Sequence, residues 1–153
     1  MASNALVNRP TKPLEDAKAA RNYCIRLLAR REYSRRRLID KLKDRGIAQS
    51  AAEEVVAQLA TEGLQSDQRC LEAIQRTGAS KGWSRRRLMI KMRDQGIDPE
   101  ILQGAEVLES NEEQQRARLL FDRWMGSKEP TEAQKRKILA RLARRGFPIG
   151  HLF

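Results

Sequence analysis

Apolar residues recur every three or four positions in a series of short segments along this chain, the spacing that places them on one face of an α-helix. Residues that favour helix starts precede two of these segments, at Ser34 and Ser84, and Gly46 and Gly96 follow them where helices commonly close. No apolar run is long enough to span a membrane. The pattern therefore predicts an all-α protein built from short amphipathic helices.

One of these segments occurs three times at a fixed interval. Its closing glycine recurs every 50 residues, at Gly46, Gly96 and Gly146. The sequence Ser-Arg-Arg-Arg-Leu stands at 34–38 and again at 84–88, and a basic run at 135–137 replaces the arginines in the third copy. Self-similarity of this kind is typical of arrays in which each unit buries its apolar face against its neighbours. We therefore predict three tandem three-helix repeats, helix-turn-helix-like units in an elongated, curved array.

The repeats are expected at 14–64, 65–110 and 111–153, after a disordered leader at 1–13. The connections between them are too short for flexible linkers, so the units should stack rigidly. The third repeat is truncated, because only seven residues follow Gly146. We expect the apolar residues of this tail to dock as a cap in place of a final helix.

Local end signals refine these helices. Tyr33 and Trp83 precede the two serines and are placed to pack on the leucine five residues later, as hydrophobic staples. The third copy has no such aromatic residue and instead offers a capping box from Thr131 to Gln134. Its helix is therefore expected to start a few residues earlier than the other two.

Further signals predict the helices around the basic ones. The segments 50–53 and 110–113 have the form of capping boxes, and Asp98 followed by Pro99 suits a helix start. Between the first and second helices of the second repeat, residues 77–82 contain two glycines among small residues. This composition predicts a mobile loop there.

The basic charge of the chain is concentrated in the repeated motif. The sequence has 31 Lys and Arg against 20 Asp and Glu, a formal net charge of +11. The segments 35–45, 85–95 and 135–145 hold 17 of those basic residues and only three of the acids. The rest of the chain is therefore slightly acidic, and the basic motif is where an anionic partner should bind.

The arginine triplets contradict a local preference. At a helix N-terminus the backbone amides carry partial positive charge, so each cation there costs roughly 0.3–1 kcal/mol. Arg35 to Arg37 and Arg85 to Arg87 nevertheless occupy first turns. Local preferences are often broken at functional sites, and arginines at a helix N-terminus suit a phosphate or a carboxylate.

Basic residues also recur four positions apart, which stacks like charges along one side of each helix. A solvated helix face would explain a single stripe of this kind, whereas three stripes in stacked repeats predict one extended basic track for nucleic acid or an acidic protein groove. The residues predicted to form this track and to bind the anionic partner are Arg35, Arg36, Arg37, Lys41, Arg45, Arg85, Arg86, Arg87, Lys91, Lys135, Arg136, Lys137, Arg141 and Arg145.

Aromatic residues near the stripes have two interpretations. Tyr33 and Trp83 could stack on bases, but the staple role explains both, so we expect them to serve packing. Trp124 and Phe121 lie on the apolar face of a helix and are expected in the core.

Several classes of chemistry find no support in the sequence. Cys24 and Cys70 stand beside aliphatic residues and are expected to be buried, reduced thiols. His151 is the sole histidine, so no common zinc site can be assembled. No glycine-rich phosphate loop and no pair of carboxylates among apolar residues occurs. We expect neither catalysis nor a metal or cofactor, and a cytoplasmic location.

Several short motifs follow one another in a specific order along the chain. They are an aromatic-Ser-x-x-x-Leu opening at 33–38, a Gly-Leu-x-x-Asp-x-Arg junction at 63–69, and a Lys-Gly-Trp sequence at 81–83 that leads into Arg87 and a Gly-Ile pair at 96–97. In order and spacing, over roughly residues 14–147, the chain resembles the bacterial RecX family. Arg37 stands where that family typically has glutamate, which makes this motif more basic than usual.

The resemblance implies a negative regulator of the RecA recombinase, acting in DNA repair and homologous recombination. Members of the family bind the RecA filament on single-stranded DNA, lie along its groove, and restrain ATP hydrolysis, strand exchange and co-protease activity. The implied partners are the RecA filament and DNA, and we expect a monomer. The alternative is a non-specific DNA-binding protein that acts without RecA, because three-helix units also resemble helix-turn-helix modules.

Overall fold

The computed structural model describes residues 12–104, 110–126 and 129–152 of the 153-residue chain. These residues form eight α-helices, and none of them lies in a β-strand. In chain order the helices are α1 Ala17–Leu28, α2 Arg35–Asp44, α3 Gln49–Thr61, α4 Asp67–Lys81, α5 Arg85–Asp94, α6 Pro99–Gln103, α7 Ser110–Met125 and α8 Glu132–Arg144. The predicted all-α class and the helical repeats are confirmed. Among the described helices, none is both long enough and apolar enough to cross a membrane.

The chain divides into two units, Met1–Ser66 and Asp67–Phe153. The first unit contains α1, α2 and α3, which enclose one core. Its fully buried members are Ala20, Cys24, Leu38, Leu42, Ala52, Val56 and Leu59. A bidentate ion pair also joins α1 to the end of α3. Arg21 Nη1 and Nη2 lie 3.0 and 2.5 Å from the carboxylate oxygens of Glu62.

The second unit contains the second and third repeats, each with its own apolar cluster. The cluster of the second repeat is built on Cys70, Leu71, Met92 and Ile97. The cluster of the third repeat is built on Ala117, Phe121, Leu142, Phe147 and Leu152. Phe147 and Leu152 belong to the tail, so the expected docking of the tail is confirmed for the described residues, with Phe153 lying outside them.

The glycines of the 50-residue period close the three basic helices in the same way. Gly46, Gly96 and Gly146 have φ of +89°, +70° and +89°, the left-handed conformation that glycine adopts without a steric penalty. In each case the amide of the next residue donates to the carbonyl five residues back, at 3.0 to 3.2 Å. This is the Schellman closure of a helix, and it turns the following apolar residue into the core, as with Phe147.

The predicted loop at 77–82 is wrong, because α4 continues to Lys81. Gly78 is a buried residue within this helix. A Cβ on Gly78 would lie 2.3 Å from Leu88 Cδ2 and 3.3 Å from Trp83 Cε3. The glycine is therefore present so that the side chains of the next helix can pack against the backbone of α4, and not to make the chain flexible.

Helix starts agree with the sequence at most positions. Thr131 and Gln134 form the predicted capping box, and α8 begins three residues earlier in the motif than α2 and α5 do. Asp98 caps α6, whose first residue is Pro99. The box predicted at 50–53 is wrong: α3 begins at Gln49, and its N-cap Ala48 has no side chain that could accept a hydrogen bond.

Both cysteines are free and buried, as predicted. Burial raises the pKa of the Cys24 thiol to about 11, which keeps it neutral near pH 7. Residues 1–11 of the predicted leader lie outside the described residues. Lys12 and Leu14 contact the end of α2, where the Lys12 carbonyl accepts from Arg45 Nε at 2.8 Å and the Leu14 amide donates to the Arg45 carbonyl at 3.0 Å.

Replacing Gly78 with alanine should destabilise the second unit. Glycine-to-alanine changes in helices usually stabilise by roughly 0.5–1 kcal/mol, whereas here the added methyl group must displace Leu88. We expect the free energy of unfolding to fall by about 1–3 kcal/mol. Urea unfolding followed by tryptophan fluorescence measures this, because Trp83 and Trp124 both lie in this unit.

Gly104→Ala is the matched control for that experiment. Gly104 ends α6 with φ −78°, and a Cβ there would meet only the Ile101 carbonyl oxygen at an ordinary 3.6 Å. Equal effects of the two substitutions would contradict the packing role of Gly78.

Candidate interface of the basic helices

Two buried serines set where the first two basic helices begin. Ser34 Oγ accepts a hydrogen bond from the Arg37 amide at 3.2 Å, and Ser84 Oγ accepts one from the Arg87 amide at 3.1 Å. Both serine side chains are fully buried. The start of each helix is therefore held by the core, and so is the side of the helix on which each cation lies.

The structure leaves the fourteen predicted site residues exposed or half-buried, none of them in the core. The exposed ones are Arg35, Arg36, Arg37, Arg86, Lys91, Arg136, Lys137 and Arg141. The half-buried ones are Lys41, Arg45, Arg85, Arg87, Lys135 and Arg145. Lys135 forms an ion pair with Glu132 at 3.0 Å.

The N-terminus of α5 holds a carboxylate that belongs to the chain itself. The Arg85 amide donates to both carboxylate oxygens of Glu113, at 2.8 and 3.0 Å. Glu113 lies in the first turn of α7 and is 8% exposed. The anion that the arginine triplet predicts is thus supplied, at this helix, by the next repeat. The sequence assigned Glu113 to a local capping box, whereas its carboxylate caps the neighbouring repeat.

The end of α8 lies against the beginning of α5. The Ser84 amide donates to the Arg145 carbonyl at 2.8 Å, and Arg87 Nη1 donates to the Arg144 carbonyl. A Cβ on Gly146 would lie 2.9 Å from Arg87 Cβ. These contacts, with the Glu113 carboxylate, form the junction between the second and third repeats, and they bring the basic residues of two helices together.

In the second repeat the basic stripe rests on an indole ring. Arg87 Cζ lies 4.8 Å from the centroid of Trp83, and Lys91 Nζ lies 5.9 Å from it. Lys81, the last residue of α4, approaches the same ring at 5.4 Å. Trp83 itself is 9% exposed, so its predicted packing role is confirmed. The ring also provides a cation–π surface for three like charges.

The third repeat reaches the same arrangement with a different ring. Arg141 Cζ and Arg145 Cζ lie 3.9 and 4.8 Å from the Trp124 centroid. Trp124 comes from α7 and packs against the cluster of the third repeat. Burial, and then the positive charge of Arg141, lowers the pKa of Arg145. The lowered pKa of Arg145 thus reflects its partial removal from water first and its charged neighbour second.

The first repeat uses two tyrosines. Lys41 Nζ lies 5.8 Å from the Tyr33 centroid, and Arg31 Cζ lies 4.5 Å from it. Arg45 Cζ lies 4.7 Å from the centroid of Tyr23, on α1. Basic residues of the stripe therefore rest on aromatic rings in all three repeats.

The aromatic rings beneath the cations affect how the basic stripes can bind another molecule. A cation over a ring keeps its N–H groups at the edge, where they can still donate to an external carboxylate or phosphate. The ring also restricts the long side chain, which lowers the entropy that would be lost on binding. The sequence missed Arg31, Lys81 and Tyr23, because nothing in the local pattern says which ring a cation will cover.

Comparison with known proteins agrees with this architecture. Residues 20–59 match the family model described as RecX, first three-helix domain. The chain is 35% identical over 147 residues to the regulatory protein RecX of Stenotrophomonas maltophilia (strain R551-3), covering 95% of this chain and 89% of that protein. The chain belongs to the RecX family.

A second relative supports the same assignment. The regulatory protein RecX of Xanthomonas axonopodis pv. citri (strain 306) is 38% identical to this RecX-family chain over 122 residues, covering 79% of the chain and 75% of the relative. Among solved structures, the crystal structure of RecX from Lactobacillus salivarius matches with a TM-score of 0.67, 20% identity, and coverage of 86% of this chain and 88% of that one. The latter likeness concerns the fold.

In this RecX-family chain, Glu113→Ala should weaken the second unit, because the Arg85 amide loses a charged acceptor in a largely buried place. We expect the free energy of unfolding to fall by about 1.5–3 kcal/mol, measured by urea unfolding with tryptophan fluorescence. Glu112→Ala is the matched control, since Glu112 shares the first turn of α7 but is exposed. If both substitutions cost the same, the effect would belong to the dipole of α7 and not to the junction.

Proposed function

We propose that this RecX-family chain is a negative regulator of RecA that binds the RecA–DNA filament along its groove and inhibits ATP hydrolysis, strand exchange and co-protease activity. It does so by binding and not by catalysis, in the cytoplasm, as a monomer. The observation that supports this proposal most is the recurrence of ring-seated basic stripes in all three repeats. A groove formed by repeating protein subunits around DNA presents its acids and phosphates at regular intervals, and a repeat protein can match such intervals.

The site residues proposed to make these contacts are the predicted cations on α2, α5 and α8. In the second unit, the junction places Arg87 of α5 beside the end of α8, which carries Arg145. The stripe on Trp83 and the stripe on Trp124 can then act as one track across two repeats. Such a track gives more attraction for an anionic partner than two separate patches would.

A non-specific DNA-binding protein is the second candidate. It is favoured by the exposed cations at the start of α2, since Arg36 and Arg37 would suit the phosphates of any nucleic acid. Under this hypothesis RecA would be irrelevant, and affinity for naked DNA would fall steeply with salt.

The RecA-dependent ATPase assay tests the first candidate against the second. We expect strong suppression of single-stranded-DNA-dependent ATP hydrolysis at protein levels well below one molecule per RecA, because a protein lying along the filament acts on several subunits. Inhibition that begins only when the DNA is saturated by the basic protein would contradict the proposal. A pull-down with RecA at moderate salt, with and without DNA, should retain the chain with RecA.

The first arginine triplet provides a second test. Arg36→Ala/Arg37→Ala should leave the melting temperature unchanged or slightly higher, because each cation in the first turn of α2 costs roughly 0.3–1 kcal/mol. Binding to the RecA–DNA filament should weaken at the same time, measured by fluorescence anisotropy with labelled DNA.

The control for this variant removes the same charge elsewhere in the first unit. Lys18→Ala/Arg30→Ala deletes two exposed cations outside the repeated motif. If the control weakens binding as much as the triplet variant, total charge and not the motif is responsible. A fall of many degrees in the melting temperature of the triplet variant would mean that these arginines are structural.

A further inference from the structure

The junction between the second and third repeats contains a cleft that shares only Arg87 with the stripe over Trp83. It has a volume of about 440 Å³ and is lined by Arg86, Arg87 and Arg144, with Ile90 and Phe147 among its apolar residues. Arg86 and Ile90 are four apart, on a side of α5 that differs from the Trp83 stripe at Arg87 and Lys91. The cleft therefore extends onto a second side of the same helix, with Arg87 at its border with the stripe.

The charge in this cleft has no counterpart in the described part of the chain. No acidic side chain among residues 12–104, 110–126 and 129–152 lines it. In the same residues, no ion pair or side-chain hydrogen bond engages the guanidinium of Arg86 or of Arg144. A second cleft, on the other side of Arg86, differs in this respect because Glu113 contributes to its wall. Of these two clefts, the one between Arg86 and Arg144 has no acidic side chain in its lining.

The apolar part of the cleft argues against a site for phosphate alone. Ile90 is 46% exposed, and it is one of the few large apolar side chains of the described residues that is so exposed. The corresponding residue is Asp40 in the first repeat and Ala140 in the third. An exposed isoleucine at a position that is polar or small in the other two copies has no role in the repeat fold itself. An aliphatic surface beside two arginines suits a protein segment. The one ring in the lining, Phe147, is only 3% exposed and presents little face on which a base could stack.

We propose that this cleft takes an acidic segment of a protein partner, with a carboxylate held between Arg86 and Arg144 and a neighbouring aliphatic side chain on Ile90. The proposal rests on the function proposed above, in which that partner is the RecA–DNA filament. Under this proposal two surfaces of α5 have different roles. The stripe over Trp83 binds phosphates or dispersed acids, and the cleft binds a protein segment. Arginine pairs and carboxylates form geometrically specific hydrogen bonds, so the cleft contributes specificity.

Two variants of the full chain test the cleft. Ile90→Asp repels a carboxylate and removes the aliphatic surface, and it should fold because aspartate occupies the same position of α2 in the first repeat. Arg86→Ala/Arg144→Ala removes both guanidinium groups. Arg76→Ala/Arg123→Ala is the control, since it deletes two exposed cations of the same unit outside the cleft. Circular dichroism and unfolding confirm that each variant is folded.

The affinity of each variant is measured for the RecA–DNA filament and for naked single-stranded DNA at the same salt concentration. We expect both cleft variants to bind the filament at least about tenfold more weakly, as loss of a central interface contact does. For naked DNA, the cleft variants should lose no more affinity than the Arg76→Ala/Arg123→Ala control does, because two lost cations weaken phosphate binding wherever they lie. On the filament, the control should change by less than about threefold. Equal losses on both targets would overturn the proposal in favour of a nucleic-acid site.

A probe that does not contain RecA separates failure of the cleft from failure of the proposed function. A fluorescein-labelled peptide of alternating glutamate and leucine is titrated beside one of alternating glutamate and serine. Saturable binding of the leucine peptide alone, lost in Ile90→Asp, supports the cleft even if RecA proves not to be the partner. Absence of saturable binding together with unchanged filament binding by both cleft variants would overturn it.

Discussion

The arrangement of the second and third repeats depends on the close approach of the last turn of α8 to the first turn of α5. A Cβ on Gly146 would lie 2.4 Å from Ser84 Oγ and 2.9 Å from Arg87 Cβ, so no other residue fits without displacing that turn. The same glycine closes α8 with a positive φ. Gly146 therefore both ends a helix and admits its neighbour. At Gly46 a Cβ would meet only Pro13 at 3.8 Å, so the feature shared by the three glycines of the period is their positive φ. Because the Ser84 amide is bound to the Arg145 carbonyl, the basic residues of the two helices are brought together at this place.

The concentration of positive charge is tolerated because rings and one carboxylate offset it. Like charges four apart on a helix cost about 0.2–0.5 kcal/mol per pair, whereas a cation over an aromatic face at an exposed site contributes about 0.5–1 kcal/mol. The ring contact is thus the larger effect for Arg141 and Arg145 over Trp124. At the start of α5, Glu113 supplies the negative charge that the helix end favours. The stripes are thus stabilised from within the chain. Apart from the bonds that Arg87 Nη1 and Arg45 Nε make to backbone carbonyls, their N–H groups can donate to another molecule.

The sequence predicted those features that depend on neighbours along the chain. The helix-closing glycines, the Thr131 capping box and the three basic helices are all local signals, and the structure contains them. Gly78 was misinterpreted because a glycine that admits Leu88 looks the same in sequence as a glycine that loosens a loop. The partner of Glu113 lies 28 residues away, and no local pattern distinguishes it from its exposed neighbour. The cations of the candidate site could therefore be predicted from the sequence, but the aromatic rings that they contact could not.

Helix α5 shows how one short element can serve three purposes. Residues four apart share a side of the helix. Leu88 and Met92 therefore face the core, and Arg87 and Lys91 lie over Trp83. The third side carries Arg86 and Ile90 of the cleft. Under the proposed function, the protein recognises both nucleic acid and the protein coating it, and a single cationic face would bind either one alone. Separate faces with different apolar surroundings avoid this, because a phosphate gains nothing from an aliphatic surface, whereas a protein segment does. Discrimination between a coated and a bare strand can then arise from the geometry of one helix.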